Sequence, residues 1–261
     1  MLIATISLVK LLQSRSIRAI IAALDFKFTA GRLKRNYFYF KATESLRSPF
    51  THRLILSQNH KPSQLHDLFF KHGSDKGAPN DQTNHTYADL YYVLFNLSRH
   101  SIKRVFECGI GTNNLEIKSN MGENGIPGAS LRAWRDYFPK AEIFGADIDR
   151  QILFSEDRIK TFHVDQTDLK SIENMWQIIS LEEFDIIIDD GLHTFDAGIS
   201  LFEASFSKLR EGGIYVIEDI QPEDKFRFYG YFNERPFRTH MVDLHRPNAL
   251  LSDNSVIIIW K

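Results

Sequence analysis

One cysteine, Cys108, is the only thiol in a chain of 261 residues. That excludes an internal disulfide framework and any multi-cysteine metal site, and it fits a reducing compartment. Long apolar runs are missing as well. No stretch reaches the roughly 18–20 residues that a membrane-spanning helix requires, and no charged leader followed by an apolar core and a small-residue cleavage site opens the chain. A cytoplasmic protein without an export signal is the expectation. Charge of one sign does not dominate: 32 Lys and Arg face 33 Asp and Glu, a formal net charge of −1. A protein basic throughout is thereby excluded, and no nucleic-acid partner is expected. The glycine fingerprint G-x-G-x-x-G of dinucleotide-binding folds is also absent.

With 43% hydrophobic and 25% charged residues, the composition is that of a globular protein able to bury a core. Its length suits one sizeable domain, residues 61–261, preceded by an extension, residues 1–60. The extension holds ten Lys and Arg (among them Lys10, Arg15, Arg18 and Lys34) against Asp25 and Glu44, a balance of +8 that leaves −9 for the remainder. Met1 to Phe26 alternates apolar clusters with basic residues, as a helix with one apolar face does. Such a helix packs on the main domain or on a partner subunit of a homo-oligomer, or else lies peripherally on anionic lipid at the inner face of the membrane. Packing is the commoner fate of an apolar helical face.

Chemistry-bearing residues gather at strand ends. Phe184 to Ala197 reads FDIIIDDGLHTFDA: an aliphatic run that stops on Asp189, Asp190, Gly191 and His193. An unbroken aliphatic run is how a strand buried on both faces reads, which points to the middle of a parallel sheet. A second strand, GGIYVIEDI, ends on Glu218 and Asp219. In open α/β sheets the carboxyl ends of the strands form the ligand crevice. One such strand end is ordinarily a turn, because Asp and Gly are turn residues; two acidic ends make a site.

The other half carries KRVFECGIGTN, a short strand with Glu107 followed by Gly109 and Gly111. Glycines there let a ligand approach the backbone. Thr112 to Pro127 then separates Gly111 from Gly128, so no helix begins at once, and a helix is expected near Ser130. AEIFGAD ends on Asp147, where doubly wound folds hold ribose hydroxyls. KTFHV leads to Asp165 and Gln166, a carboxylate and an amide able to read a heterocycle edge. Three acidic strand ends repel phosphate but accept a cationic nucleoside. Upstream, HGSDKG is either a surface loop or a flap over the crevice using Asp75, Lys76, His85 or Tyr87, and Thr86 reads as an N-cap for a helix carrying Tyr87, Leu90 and Tyr91.

FECGIG, GASLRAWRDYFPKAEIFGADID, VDQTD, FDIIIDDGLH, LREGGIYVIEDI and NSVIIIWK together resemble class I S-adenosylmethionine-dependent methyltransferases over nearly all of residues 64–261. Within that class the chain is similar to metal-dependent O-methyltransferases acting on sugars of macrolide and aminocoumarin antibiotics, and to their relatives in bacterial glycan modification and polysaccharide biosynthesis. The resemblance implies a doubly wound, Rossmann-like α/β fold of seven strands in the order 3-2-1-4-5-7-6, with the last strand antiparallel and helices on both faces. It also implies S-adenosylmethionine as methyl donor, Mg2+ or Mn2+, and a small-molecule or glycan acceptor. Asp190, Glu218 and Asp219 match the metal ligands, and His193 matches the general base. Glu107, Gly109 and Gly111 match the methionine site, Asp147 the ribose site, and Asp165 with Gln166 the adenine site. Two departures are the long loop 112–127 and Val164, where a glycine is common.

The residue types suit that chemistry. A divalent cation lowers the pKa of a sugar hydroxyl, three carboxylates without cysteine favour a hard ion, and an imidazole accepts a proton near neutral pH. Asp189 points either to this edge or towards the methionine amine. The rival readings are a nicotinamide-dependent oxidoreductase, disfavoured by the missing fingerprint, and an iron hydroxylase, disfavoured because one histidine is at hand. A third is a non-catalytic scaffold of glycan assembly, which would have no need of the full set of acids.

Overall fold

The computed structural model describes residues 39–42, 51–55, 62–77, 85–245 and 253–261. The helical expectation for Met1 to Phe26, its packing or membrane contact, and the polar run 78–84 lie outside them. Among the described residues ten strands form one sheet. They are β1 (Tyr39–Ala42), β2 (Thr51–Ile55), β3 (Arg104–Cys108), β4 (Glu142–Asp147), β5 (Ser155–Glu156), β6 (Ile159–His163), β7 (Phe184–Asp189), β8 (Leu209–Ile217), β9 (Arg238–His245) and β10 (Ser255–Trp260). The helices are α1 (Gln64–His72), α2 (Tyr87–Phe95), α3 (Ala129–Tyr137), α4 (Leu169–Ile179), α5 (Phe195–Ser205) and α6 (Lys225–Asn233).

The sheet runs β1-β2-β9-β10-β8-β7-β3-β4-β6-β5. Its seven inner strands reproduce the expected order, and β10 is antiparallel to both β8 and β9. Both edges go beyond the expectation. β5 pairs antiparallel with β6, while β2, from the basic extension, pairs parallel with β9 and carries β1. The extension therefore continues the sheet.

β7 lies centrally between β3 and β8, buried at every position. Successive side chains of a strand face opposite sides, so its aliphatic run feeds two cores. Ile186 and Ile188 pack with Leu65, Tyr91 and Trp134 from α1–α3. Phe184 and Ile187 pack with Trp176, Phe202 and Phe228 from α4–α6. The aromatic stretch 228–237 belongs to this second core: Phe228 meets Phe195, and Phe232 meets Phe202. No described helix is long and apolar enough to cross a membrane.

Local signals decide where the elements stop. Ser63 caps α1 by accepting from His66 N, and Gly73 closes it at φ 82°. Thr86 occupies the N-cap position of α2 but makes no capping bond. Its Oγ1 accepts from Asn254 Nδ2 at 3.0 Å, and its amide donates to Asn254 Oδ1. That bond fastens α2 to the start of β10. β8 ends at Ile217, two residues before the limit read from sequence, so Glu218 and Asp219 stand on the loop beyond it.

Candidate active site

The carboxyl ends of β3, β4, β6, β7 and β8 border a cavity of about 550 Å³. Two backbone bonds align its acidic rim: Asp190 N donates to Cys108 O at 2.8 Å, and Glu218 N donates to Asp189 O at 2.9 Å. Gly109 is required for the first. A Cβ there would lie 1.9 Å from Asp190 O, so its missing side chain admits the neighbouring strand end. Gly111 is likewise filled from within the protein, by Met121.

At this rim Asp190, His193 and Asp219 each offer an atom within 4.8 Å of the others. His193 Nε2 stands 3.4 Å from Asp190 Oδ1 and 3.5 Å from Asp219 Oδ2. It is buried and has no hydrogen-bond partner. His193 and Asp219 also adopt left-handed backbone, at φ 58° and 53°. That region is costly for residues other than glycine and concentrates at functional sites. Burial works against charge on His193, yet Asp190 and Asp219 outweigh it and push the imidazole up to about 9. Burial likewise raises Asp190, but Lys76 and His193 hold it below the ordinary carboxylate range.

Glu218, expected on the metal, stands apart from this trio. Its carboxylate is buried, one oxygen accepting from Tyr91 Oη and the other from Lys76 Nζ. Lys76 is 2% exposed and also donates to Asp190 Oδ2 at 2.6 Å, with Glu107 at 3.8 Å. Burial alone would strip its proton; Asp190, Glu218 and Glu107 keep it an ammonium. Of the two readings of the upstream segment, a plain surface loop does not describe its described residues. Asp75, Lys76 and His85 line the cavity, and Tyr87 Oη donates to Asp219. His85 Nε2 lies 3.3 Å from Asp219 Oδ1 and 3.6 Å from Asp253 Oδ1. This corrects the expectation of a single histidine, although His85 faces the Asp219 oxygen turned away from His193. Lys76, His85 and Tyr91 were the residues sequence reading underweighted. The signal for them was a lysine between Gly73 and Gly77 and two ring side chains within the next fourteen residues, with no way to see which strand ends they meet.

The expected donor residues divide. Gly109, Gly111, Asp147, Asp165 and Gln166 line the cavity. Asp147 Oδ2 accepts from Ile110 N at 2.9 Å, which ties β4 to the glycine turn. Gln166 braces the loop after β7: its Nε2 donates to Asp189 Oδ1 at 2.7 Å, and its Oε1 accepts from Leu192 N at 2.9 Å. Gly191 is glycine for this reason, since a Cβ would lie 2.1 Å from Gln166 Oε1. Glu107 sits behind the cavity wall, fully buried, accepting from Ser130 Oγ and Trp134 Nε1. Burial pushes it up to about 7 against the pull of Lys76. Asp189 does not line the cavity; it borders a small void with His193, Asp219, Gly198 and Phe228, and burial raises it to about 6.

The strand order 3-2-1-4-5-7-6, with a nucleoside-sized cavity at the carboxyl edge, defines the class: a Rossmann-like methyltransferase fold. The 8-demethyl-8-(2-methoxy-alpha-L-rhamnosyl)-tetracenomycin-C 3'-O-methyltransferase of Streptomyces olivaceus is 35% identical over 167 residues, 64% of this chain and 39% of its own length. Mycinamicin VI 2''-O-methyltransferase of Micromonospora griseorubida is 35% identical over 136 residues, 52% of this chain and 32% of its own length. Among solved structures, the MycE methyltransferase of mycinamycin biosynthesis, in complex with Mg, SAH and mycinamycin VI, matches with a TM-score of 0.51 at 28% identity, over 67% of this chain and 43% of that one. The homologues are therefore sugar O-methyltransferases of antibiotic pathways, and the chain spans less than half the length of the curated relatives it matches. No family model matches it.

Proposed function

We propose that the protein transfers a methyl group from S-adenosylmethionine to a hydroxyl of a sugar, glycan or glycosylated metabolite, assisted by a divalent cation. The observation that carries this reading is His193 Nε2, buried with no hydrogen bond of good geometry yet within about 3.5 Å of both Asp190 and Asp219. An imidazole nitrogen and two carboxylates that converge without a hydrogen bond between them fit a cation and a reacting hydroxyl better than they fit packing. Asp190 and Asp219 would hold Mg2+ or Mn2+, with Glu218 behind them as counter-charge to Lys76. When bound, that ion supplies acidity to a sugar hydroxyl and holds its developing negative charge.

The chain's own residues do the rest. Tyr87 and His85 steady Asp219 from the side opposite His193, and Lys76 holds Asp190 Oδ2 so that Oδ1 faces the gap. The carboxylates that raise His193 are the ones a cation would neutralise. With their field offset, burial would favour the neutral imidazole, the form that takes a proton at Nε2. Asp147 and Asp165, on the cavity wall, would hold the nucleoside, and their charge disfavours a phosphorylated one.

Incubation with isotope-labelled donor and a panel of nucleotide sugars, lipid-linked glycans and glycosylated small molecules, read by mass spectrometry, tests the proposal. Methylated sugar should form with Mg2+ and vanish with chelator. Methyl transfer undiminished by chelator would overturn the cation's role, and donor turnover onto non-sugar acceptors alone would overturn the substrate class.

A further inference from the structure

The loop Thr112 to Pro127 has no part in the chemistry above, yet it supplies six consecutive residues, Glu116 to Met121, to the cavity wall. It is built rather than slack. Asn114 Oδ1 accepts from Glu116 N at 3.1 Å, Asn120 Nδ2 donates to Ile117 O at 2.7 Å, and Asn120 Oδ1 accepts from Gly122 N at 3.0 Å. Two further contacts fix its position over the cavity. At its base Met121 N donates to Thr112 O at 2.8 Å. The Met121 thioether fills the space that Gly111 leaves, where a Cβ would come within 2.0 Å of Sδ. At its tip Ser119 takes φ 56° and its Oγ donates to Leu192 O at 3.3 Å. Leu192 stands between Asp190 and His193. The loop therefore runs from the glycine turn after β3 to the loop after β7, with the cavity beneath it.

We propose that residues Glu116 to Met121 are a donor-binding roof, anchored by Met121 on Gly111 and latched by Ser119 on Leu192, which retains S-adenosylmethionine in the cavity. Small-ligand sites hold their ligands by enclosing most of the ligand surface, largely with apolar groups. Here Ile117 and Met121 add apolar cover to a wall that also carries Ile110, Ala129, Ile148 and Val164. Methionine suits that task because its flexible thioether moulds to an irregular surface. The roof acts on residence of the donor and leaves the reacting groups untouched. The inference rests on the donor reading given under the proposed function.

Stopped-flow dissociation of S-adenosylhomocysteine from the full-length protein tests it, with thermal unfolding and Mn2+ affinity measured alongside. Met121→Ala should speed dissociation roughly tenfold, since changes at a binding surface appear mainly in the off-rate. Met121→Leu, which keeps the bulk, should restore it. Ser119→Gly relieves the left-handed backbone while removing the latch, so it should fold at least as well as wild type and still release the ligand several-fold faster, as loss of one hydrogen bond implies. Mn2+ affinity should not change in any of them. Wild-type dissociation rates in folded Ser119→Gly and Met121→Ala would overturn the roof. Failure of the wild-type protein to bind S-adenosylhomocysteine at all would instead overturn the donor reading.

Discussion

His193→Ala should remain folded, bind donor and Mn2+ within a few-fold of wild type, and lose roughly 100- to 10,000-fold in single-turnover methyl transfer, the range for removal of a general base. The residual rate should climb with pH as hydroxide takes over proton removal. A capping or packing histidine would behave differently, lowering stability and leaving turnover per folded molecule unchanged. The same residue gives a pH signature in chelated protein. Its folded pKa of about 9 lies above the roughly 6.5 of an unperturbed imidazole. Its contribution to stability is therefore complete below about 6.5 and lost as pH rises through about 9. Chemical denaturation of wild type and His193→Gln across that window should show the two curves converging at high pH. Asp189, the obvious substitute base, shares a small void with His193 and Asp219; with His193 as the base, Asp189→Asn should spare the chemical step.

The largest stability effect belongs to Lys76→Met. It keeps most of the apolar stem and removes the ammonium that Asp190, Glu218 and Glu107 share. Removing one partner of a buried ion pair typically costs about 3–5 kcal/mol, because the other charge is left uncompensated. Denaturant unfolding should show a loss of that order. Lys76→Arg should recover only part of it, since a planar guanidinium cannot replace a compact ammonium among three carboxylates. A Lys76→Met protein as stable as wild type would mean that Glu218 and Glu107 are protonated and that the lysine is not needed.

The sheet was legible because its signals are local. Ile186 to Ile188 and Val256 to Ile259 are aliphatic runs that only a doubly covered sheet accommodates, and each stops at a polar residue or the chain end. The additions at both edges were not legible, since pairing of β2 with β9 joins residues nearly 200 positions apart. Asp190, His193 and Asp219 followed from strand-end logic. The placement of Glu218 did not, because β8 stops at Ile217 and the next two residues face different sides. Glu218 turns inward to Lys76 and Tyr91, while Asp219, in left-handed backbone, turns to the gap. Neighbouring acids look equivalent in sequence; which becomes a counter-ion depends on a lysine 142 positions away. The glycines have a second role that sequence does not show: Gly109 and Gly111 line the cavity as expected for close approach of a ligand, and they also make room for Asp190 and Met121.

The central claim is that a donor cavity and a cation-holding rim are separate parts of one site. Calorimetric titration tests it most directly, using S-adenosylhomocysteine and Mn2+ in turn on wild type and Asp219→Asn, the former titration carried out in chelator. S-adenosylhomocysteine should bind both proteins alike without metal. Mn2+ should bind wild type and be lost, or weakened by at least tenfold as expected for a missing ligand, in Asp219→Asn. No binding of S-adenosylhomocysteine beside tight binding of a nicotinamide dinucleotide, or equal Mn2+ affinity in the two proteins, would contradict the account.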